Sequence, residues 1–139
     1  MKLTKTTFYV LSCTWGIFHT VLGAAVALCL FILGHKPKKW GFCRYFELDG
    51  MRGGCSFGPF FITGPSPSDH IRCHEHGHAL QNCIWGPLFP FVIAAPSFLR
   101  CHYRQWRKKR RPELRQKPYD SIWFEGQATK WGEALVKTK

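Results

Sequence analysis

Acidic residues are scarce in this chain: eight Asp and Glu stand against twenty Lys and Arg in 139 residues, a formal net charge of +12. Cysteines at C-x-x-C spacing are absent, although there are seven cysteines, two of which (Cys13 and Cys29) sit inside an apolar run. A dispersed, odd-numbered set of this kind argues against the disulfide framework of a small secreted domain. It is read as reduced thiols acting as small hydrophobes. Formal charge is missing altogether from residues 8–34, where His19 is the one ionisable side chain apart from Cys and Tyr. At about 1.5 Å per residue these residues make roughly 40 Å of helix, more than the roughly 30 Å of a bilayer's hydrocarbon core.

The 8–34 run is therefore expected to be an uncleaved N-terminal transmembrane helix, with His19 a packing residue rather than a ligand. A cleaved signal peptide is the rival, since Ala24, Ala25 and Ala27 resemble a cleavage site, but the apolar run continues through Ile32 and Leu33. Length bounds the rest to one domain at most. With 45% hydrophobic and 16% aromatic residues beside so few acids, the expected class is a mainly α membrane protein whose basic surface faces anionic lipid. Nine of the twenty cations fall within residues 100–117, opposed there only by Glu113. The run Arg107-Lys108-Lys109-Arg110-Arg111, with Tyr103 and Trp106 beside it, could hold nucleic acid. Directly after an apolar segment, the lipid bilayer is the preferred partner and nucleic acid is disfavoured.

What is present centres on His74-Glu75-His76-Gly77-His78, which contains H-E-x-x-H as His74, Glu75 and His78. Residues four apart share a helix face, so His74 and His78 can point at one Zn²⁺. Glu75 then lies beside the open coordination position, where a carboxylate can take a proton from an activated water. The helix is expected from about residue 70 to 84, capped by Ser68 or Asp69. The rival for these residues is a His-rich surface helix, or a structural metal site using Cys73, His76 or Cys83.

Before this helix, His35-Lys36-Pro37-Lys38-Lys39-Trp40 reads as a basic-aromatic cluster for the lipid headgroup zone. Residues 46–48, 55–57 and 60–63 read as short strands separated by Gly-rich turns. They predict a small β-hairpin beside the zinc helix, able to offer an edge to an extended peptide; an irregular Gly-rich loop is the alternative. After it, residues 83–99 are uncharged but interrupted by Pro87, Pro90 and Pro96, which predicts a kinked apolar hairpin rather than a straight span. The tail, from residue 118, predicts an amphipathic helix capped by Asp120 or Ser121, with Ile122, Phe124, Ala128, Trp131, Ala134 and Leu135 on its buried side.

A catalytic zinc needs three protein ligands. Glu125 is the strongest remaining candidate, with small Ala128 one turn on to let its helix approach. His74-Glu75-x-x-His78 with a downstream Glu125-x-x-Ala128 resembles the pattern of gluzincin zinc metallopeptidases, closest to membrane-embedded members. The resemblance implies Zn²⁺ held by His74, His78 and Glu125, Glu75 as general base, and a peptide or protein substrate. The chain is expected to divide into an anchor segment, 1–34, and one zincin-like domain, 35–139. Thr129 stands where such families often carry an Asp that orients a ligand histidine, so that contact is expected to come from elsewhere or to be missing. More loosely, residues 53–132 are similar to small bacterial membrane proteins of unassigned role.

Topology adds a constraint. If residues 83–99 crossed a bilayer, His74 and Glu125 would lie on opposite sides, and the cationic 100–117 stretch cannot recross hydrocarbon. A re-entrant 83–99 segment reunites them and puts both basic stretches, 36–44 and 100–117, on the cytoplasmic face with the N-terminus outside. Lys2 and Lys5 weigh against that orientation. The functional expectation is a membrane-bound, zinc-dependent peptidase-like protein with its site at the cytoplasmic face. A non-enzymatic membrane protein with a structural or sensing metal, or a basic lipid-binding adaptor, is the alternative. Oligomeric state is left open.

Overall fold

The computed structural model describes residues 3–137, so Lys2 lies outside the described residues. Helices α1 (Lys5–Cys13) and α2 (Ile17–Ile32) lead into four strands, β1 (Lys38–Trp40), β2 (Cys43–Glu47), β3 (Gly54–Phe57) and β4 (Phe60–Thr63). Helix α3 (Asp69–Trp85) follows, then a 3₁₀ turn and a π turn, α4 (Ala95–Arg110), a second 3₁₀ turn and α5 (Trp123–Lys137). The chain is thus mainly helical, with a small mixed sheet of order β1-β2-β4-β3 in which β2 and β4 run parallel.

The hairpin expected between residues 46 and 63 is correct for β3 and β4, which pair antiparallel around Gly58 at positive φ. It is incomplete for the sheet. Lys38-Lys39-Trp40, read above as a headgroup cluster, instead forms β1, paired to β2. There Lys38 meets Glu47 at 2.8 Å, and Arg72 lies 4.2 Å above the Trp40 ring.

Alternation along the strands sorts the core into two layers. Cys43, Tyr45 and Phe61 face α1 and α3, packing with Phe8, Ala79, Leu80 and Cys83. The paired rings of Tyr45 and Phe61 stack at 5.0 Å. Phe46, with Phe60 and Ile62, faces the opposite way onto Ala27 and Leu30 of α2. A third cluster of Phe89, Ile93 and Phe124 pins the turn after α3 against the start of α5.

The expected transmembrane helix over residues 8–34 is corrected. Among the described residues no single helix is long and apolar enough to cross a membrane, and α1 and α2 meet at 95°. The cause is tertiary. Asn82 Nδ2 reaches the Gly16 carbonyl at 3.5 Å, and a Cβ on Gly16 would strike the Asn82 side chain. Trp15 Nε1 donates to the Ile84 carbonyl at 3.0 Å, and Phe8 of α1 is fully buried in the core. The N-terminal segment is therefore packed against the 35–139 region. The helix ending at Leu88 and the one beginning at Pro90 meet at 118°, so the chain reverses where the three prolines predicted a kink.

Ser68 caps α3, its Oγ accepting from Ile71 N at 3.3 Å, and Gly86 at φ +48° ends it. From Cys73 to Cys83 every residue of α3 is buried. A helix enclosed on all sides normally carries apolar residues, yet this one encloses His74, Glu75, His76, His78, Gln81 and Asn82. Helix α5 lies antiparallel to it at backbone contact. A Cβ on Gly77 would run into the Ala128 carbonyl, and one on Gly132 into the Cys73 carbonyl. In a solvated helix, Gly→Ala stabilises by about 1 kcal/mol. Here overpacking of about 1–3 kcal/mol or more opposes it. Gly132→Ala is expected to lower the melting temperature despite its better helix propensity, as read by thermal unfolding followed by circular dichroism.

Candidate metal centre

Helix α3 presents His74 and His78 one turn apart, and the α3–α5 crossing brings Glu125 between them. His74 Nε2 lies 3.1 Å from His78 Nε2, and Glu125 Oε2 lies 3.1 Å from the first and 3.2 Å from the second. Three ligands at about 2.0–2.1 Å around a tetrahedral ion stand about 3.3 Å apart, so the triangle is close to the size a zinc-like cation requires. All three residues are buried, and among the described residues no other group of three His, Cys, Asp or Glu side chains converges this way. His76 faces elsewhere, accepting from Phe42 N at 3.2 Å beneath the sheet, as its helix position two residues from His74 dictates. The cysteine-based alternative finds no geometry here: every cysteine is a free thiol, and Cys73 and Cys83 join no such group.

The outer nitrogens of both rings are held. Gln81 Nε2 donates to the Phe124 carbonyl at 2.8 Å, which fixes its amide orientation and leaves Oε1 as an acceptor. Oε1 lies 2.8 Å from His78 Nδ1, so that nitrogen carries the proton and Nε2 keeps its lone pair for the cluster. His74 Nδ1 lies 2.9 Å from Thr129 Oγ1. Thr129 thus supplies an orienting oxygen to that ring, where none was expected from the sequence. Asp120 is more distant, 3.9 Å from His74 Nδ1. On its other side the Glu125 carboxylate interacts with Ser97 and Tyr119.

Electrostatics agree with a shared cation position. Burial works to raise the Glu125 carboxyl, but hydrogen bonds from His74 and His78 outweigh it and hold it far below the ordinary carboxylate range. For His78, burial favours the neutral ring, yet the Glu125 hydrogen bond and the charge of Glu75 shift it above the ordinary imidazole value. The same carboxylates that draw the His78 imidazole up would favour a cation at this point.

Glu75 is buried beside this cluster, and its carboxyl is pushed up by burial, partly opposed by His78 and His74. Gly54 of β3 makes room for it, since a Cβ there would strike the carboxylate. Both groups open into a cavity of about 590 Å³. Residues 51–56, leading into the edge strand β3, line one side, and Ser97, Phe98 and Cys101 of α4 line the other. Tyr119 also lines it, its ring 5.9 Å from that of His74 and its hydroxyl 3.3 Å from Ser97 Oγ. Burial pushes the Tyr119 phenol up, so it stays a hydrogen-bond donor at neutral pH.

All four residues singled out by sequence, His74, Glu75, His78 and Glu125, meet in this one place. Gln81, Gly54, Gly77 and Gly132 were not singled out. Gln81 alone left a trace, as a polar residue three positions beyond His78. The chain matches no protein-family model, no curated protein and no solved structure, so the site stands on its geometry alone.

Two outcomes follow. Metal binding needs His78 without its Nε2 proton, and its imidazole is shifted above the ordinary value, so metal affinity should rise as pH rises through the neutral range. A flat profile in competition titrations with a chromophoric chelator would contradict the shared position. Thr129→Val, which keeps shape but removes the hydroxyl, should weaken metal affinity about tenfold or more in the same titration.

Proposed function

We propose that this chain is a membrane-bound, zinc-dependent peptidase-like hydrolase. The observation that carries the reading is the convergence of His74, His78 and Glu125 on one point, with the buried carboxylate of Glu75 on the same cavity. The donor set of two imidazoles and one carboxylate suits zinc, and three protein ligands rather than four fit a catalytic site better than a structural one. Zinc there supplies the Lewis acidity that polarises a carbonyl and makes water a usable nucleophile near neutral pH.

The chain's own groups do the rest. Glu75, its proton affinity raised by burial, accepts a proton from the attacking water and returns it to the departing amine. Tyr119 lines the same cavity, and a substrate carbonyl there would compete with Ser97 for its hydroxyl. Strand β3 is a sheet edge, and residues 53–56 border the cavity, which suits an extended peptide adding as a further strand.

Membrane attachment is supported by exposed apolar side chains. On α2, Phe18, Val21, Leu22, Leu28, Phe31 and Ile32 are all exposed, and the turn that bears exposed Leu88 and Phe91 rests against α2 through Phe89 and His19, 4.9 Å apart. Helix α2 alone is about 24 Å long, short of the hydrocarbon thickness, so the proposed attachment is by embedding of α2 and this turn. The basic stretches favour the cytoplasmic face for the site.

Glu75→Gln keeps shape and hydrogen bonding but cannot take up the proton. It should retain one metal per chain and lose peptide hydrolysis by about a thousandfold or more. Assays of a chelator-sensitive activity on unstructured peptides, with metal content measured in parallel, test this; undiminished turnover in the variant would sink the mechanism.

A further inference from the structure

Helix α4 has no buried residue, yet it forms one wall of the cavity. Its residues fall on three faces. Phe98, Cys101 and Gln105 line the cavity. Arg100 and Arg104 occupy a second face and tie the helix to the segment before α5. Arg100 donates to the Tyr119 carbonyl at 3.1 Å and Arg104 to the Lys117 carbonyl at 2.8 Å. On the third face Leu99, Tyr103 and Trp106 recur at helical spacing, exposed by 67%, 56% and 56%. The last turn is Arg107-Lys108-Lys109-Arg110.

Arg100 and Arg104 are thus tied to the segment before α5, and the cationic last turn follows directly on the apolar-aromatic stripe. This is the composition of a helix lying in a membrane interface: Leu in the acyl boundary, Tyr and Trp at headgroup depth, Lys and Arg against phosphates. Nucleic acid would share the phosphate chemistry. However, Tyr103 and Trp106 stack on each other at 5.9 Å rather than standing apart as platforms for bases, and Leu99 has no base-stacking role.

We propose that α4 lies along an anionic bilayer surface through Leu99, Tyr103, Trp106 and its cationic last turn, and that this contact fixes the outer wall of the cavity. The proposal rests on the membrane-bound part of the reading above, not on the identity of the metal. Coupling to the site is built in. The carbonyls gripped by Arg100 and Arg104 belong to the stretch that sets Tyr119 beside His74 and Asp120 within 3.9 Å of it. A bilayer of the right charge would therefore order both α4 and Tyr119.

The test uses the full chain in nanodiscs of phosphatidylcholine alone, or with about one-third phosphatidylglycerol, and follows amide hydrogen exchange with metal content measured on the same samples. In the anionic discs, exchange in residues 95–110 and 117–121 should slow together by about tenfold or more. A variant with Arg107, Lys108, Lys109 and Arg110 all changed to Gln should exchange alike in both discs. Equal exchange of the unaltered chain in the two discs would overturn the proposal. So would slowing of α4 without the 117–121 segment, or protection of α4 by a single-stranded oligonucleotide that anionic discs do not match. Lipid-dependent protection in protein that holds no metal would support this inference while removing the zinc reading.

Discussion

Everything in this molecule depends on how closely two helices can approach. Helices α3 and α5 touch backbone to backbone because Gly77 and Gly132 bring no side chain to the crossing and Ala128 brings a small one. Larger side chains at this crossing would push the two helices apart and shift the Glu125 carboxylate from its present place between the two imidazoles. Here the gap closes to 3.1 and 3.2 Å. The other elements serve that contact: Gly86 and the prolines reverse the chain after α3, and Phe124 anchors α5 in the cluster with Phe89 and Ile93.

The consequence is an unusual concentration of polar groups in a dry place. Burying His74, Glu75, His78 and Glu125 together is costly unless each finds a partner. Most of the cluster is satisfied internally: Gln81 holds the back of one ring and Thr129 the back of the other. The two imidazoles hold the Glu125 carboxyl low, and the neighbouring carboxylates draw His78 up, so the cluster favours positive charge. A core built only for stability would fill this volume with apolar side chains. The arrangement is better understood as a site for a cation, kept beside a cavity with one further carboxylate.

Some of this was legible in the sequence because it depends on short range. The i, i+4 relation of His74 and His78 is a property of any α-helix. The Ser68 cap and the reversal after Trp85 are written in local Ser, Gly and Pro chemistry. Glu125 was legible only as a requirement, a third ligand that a catalytic zinc must have, with Ala128 hinting at close packing. What stayed hidden depends on partners far along the chain. Nothing in the apolar run of residues 8–34 shows a break at Thr14-Trp15-Gly16, because the break is made by Asn82 and Ile84, more than sixty residues away. Lys38-Lys39-Trp40 looks like a headgroup anchor until Glu47 and Arg72 are placed beside it. Gln81 and Thr129 became recognisable as supports of the ligand rings only after α5 had been laid against α3.

The most direct measurement is X-ray absorption at the zinc edge on protein purified with its metal. The expected first shell contains nitrogen and oxygen scatterers at about 2.0–2.1 Å, with the outer-ring signature of two imidazoles. It should lose one imidazole in His78→Ala and lose its carboxylate oxygen in Glu125→Ala. Sulfur at about 2.3 Å, or a shell unchanged by both substitutions, would place the metal elsewhere and contradict a centre built from His74, His78 and Glu125.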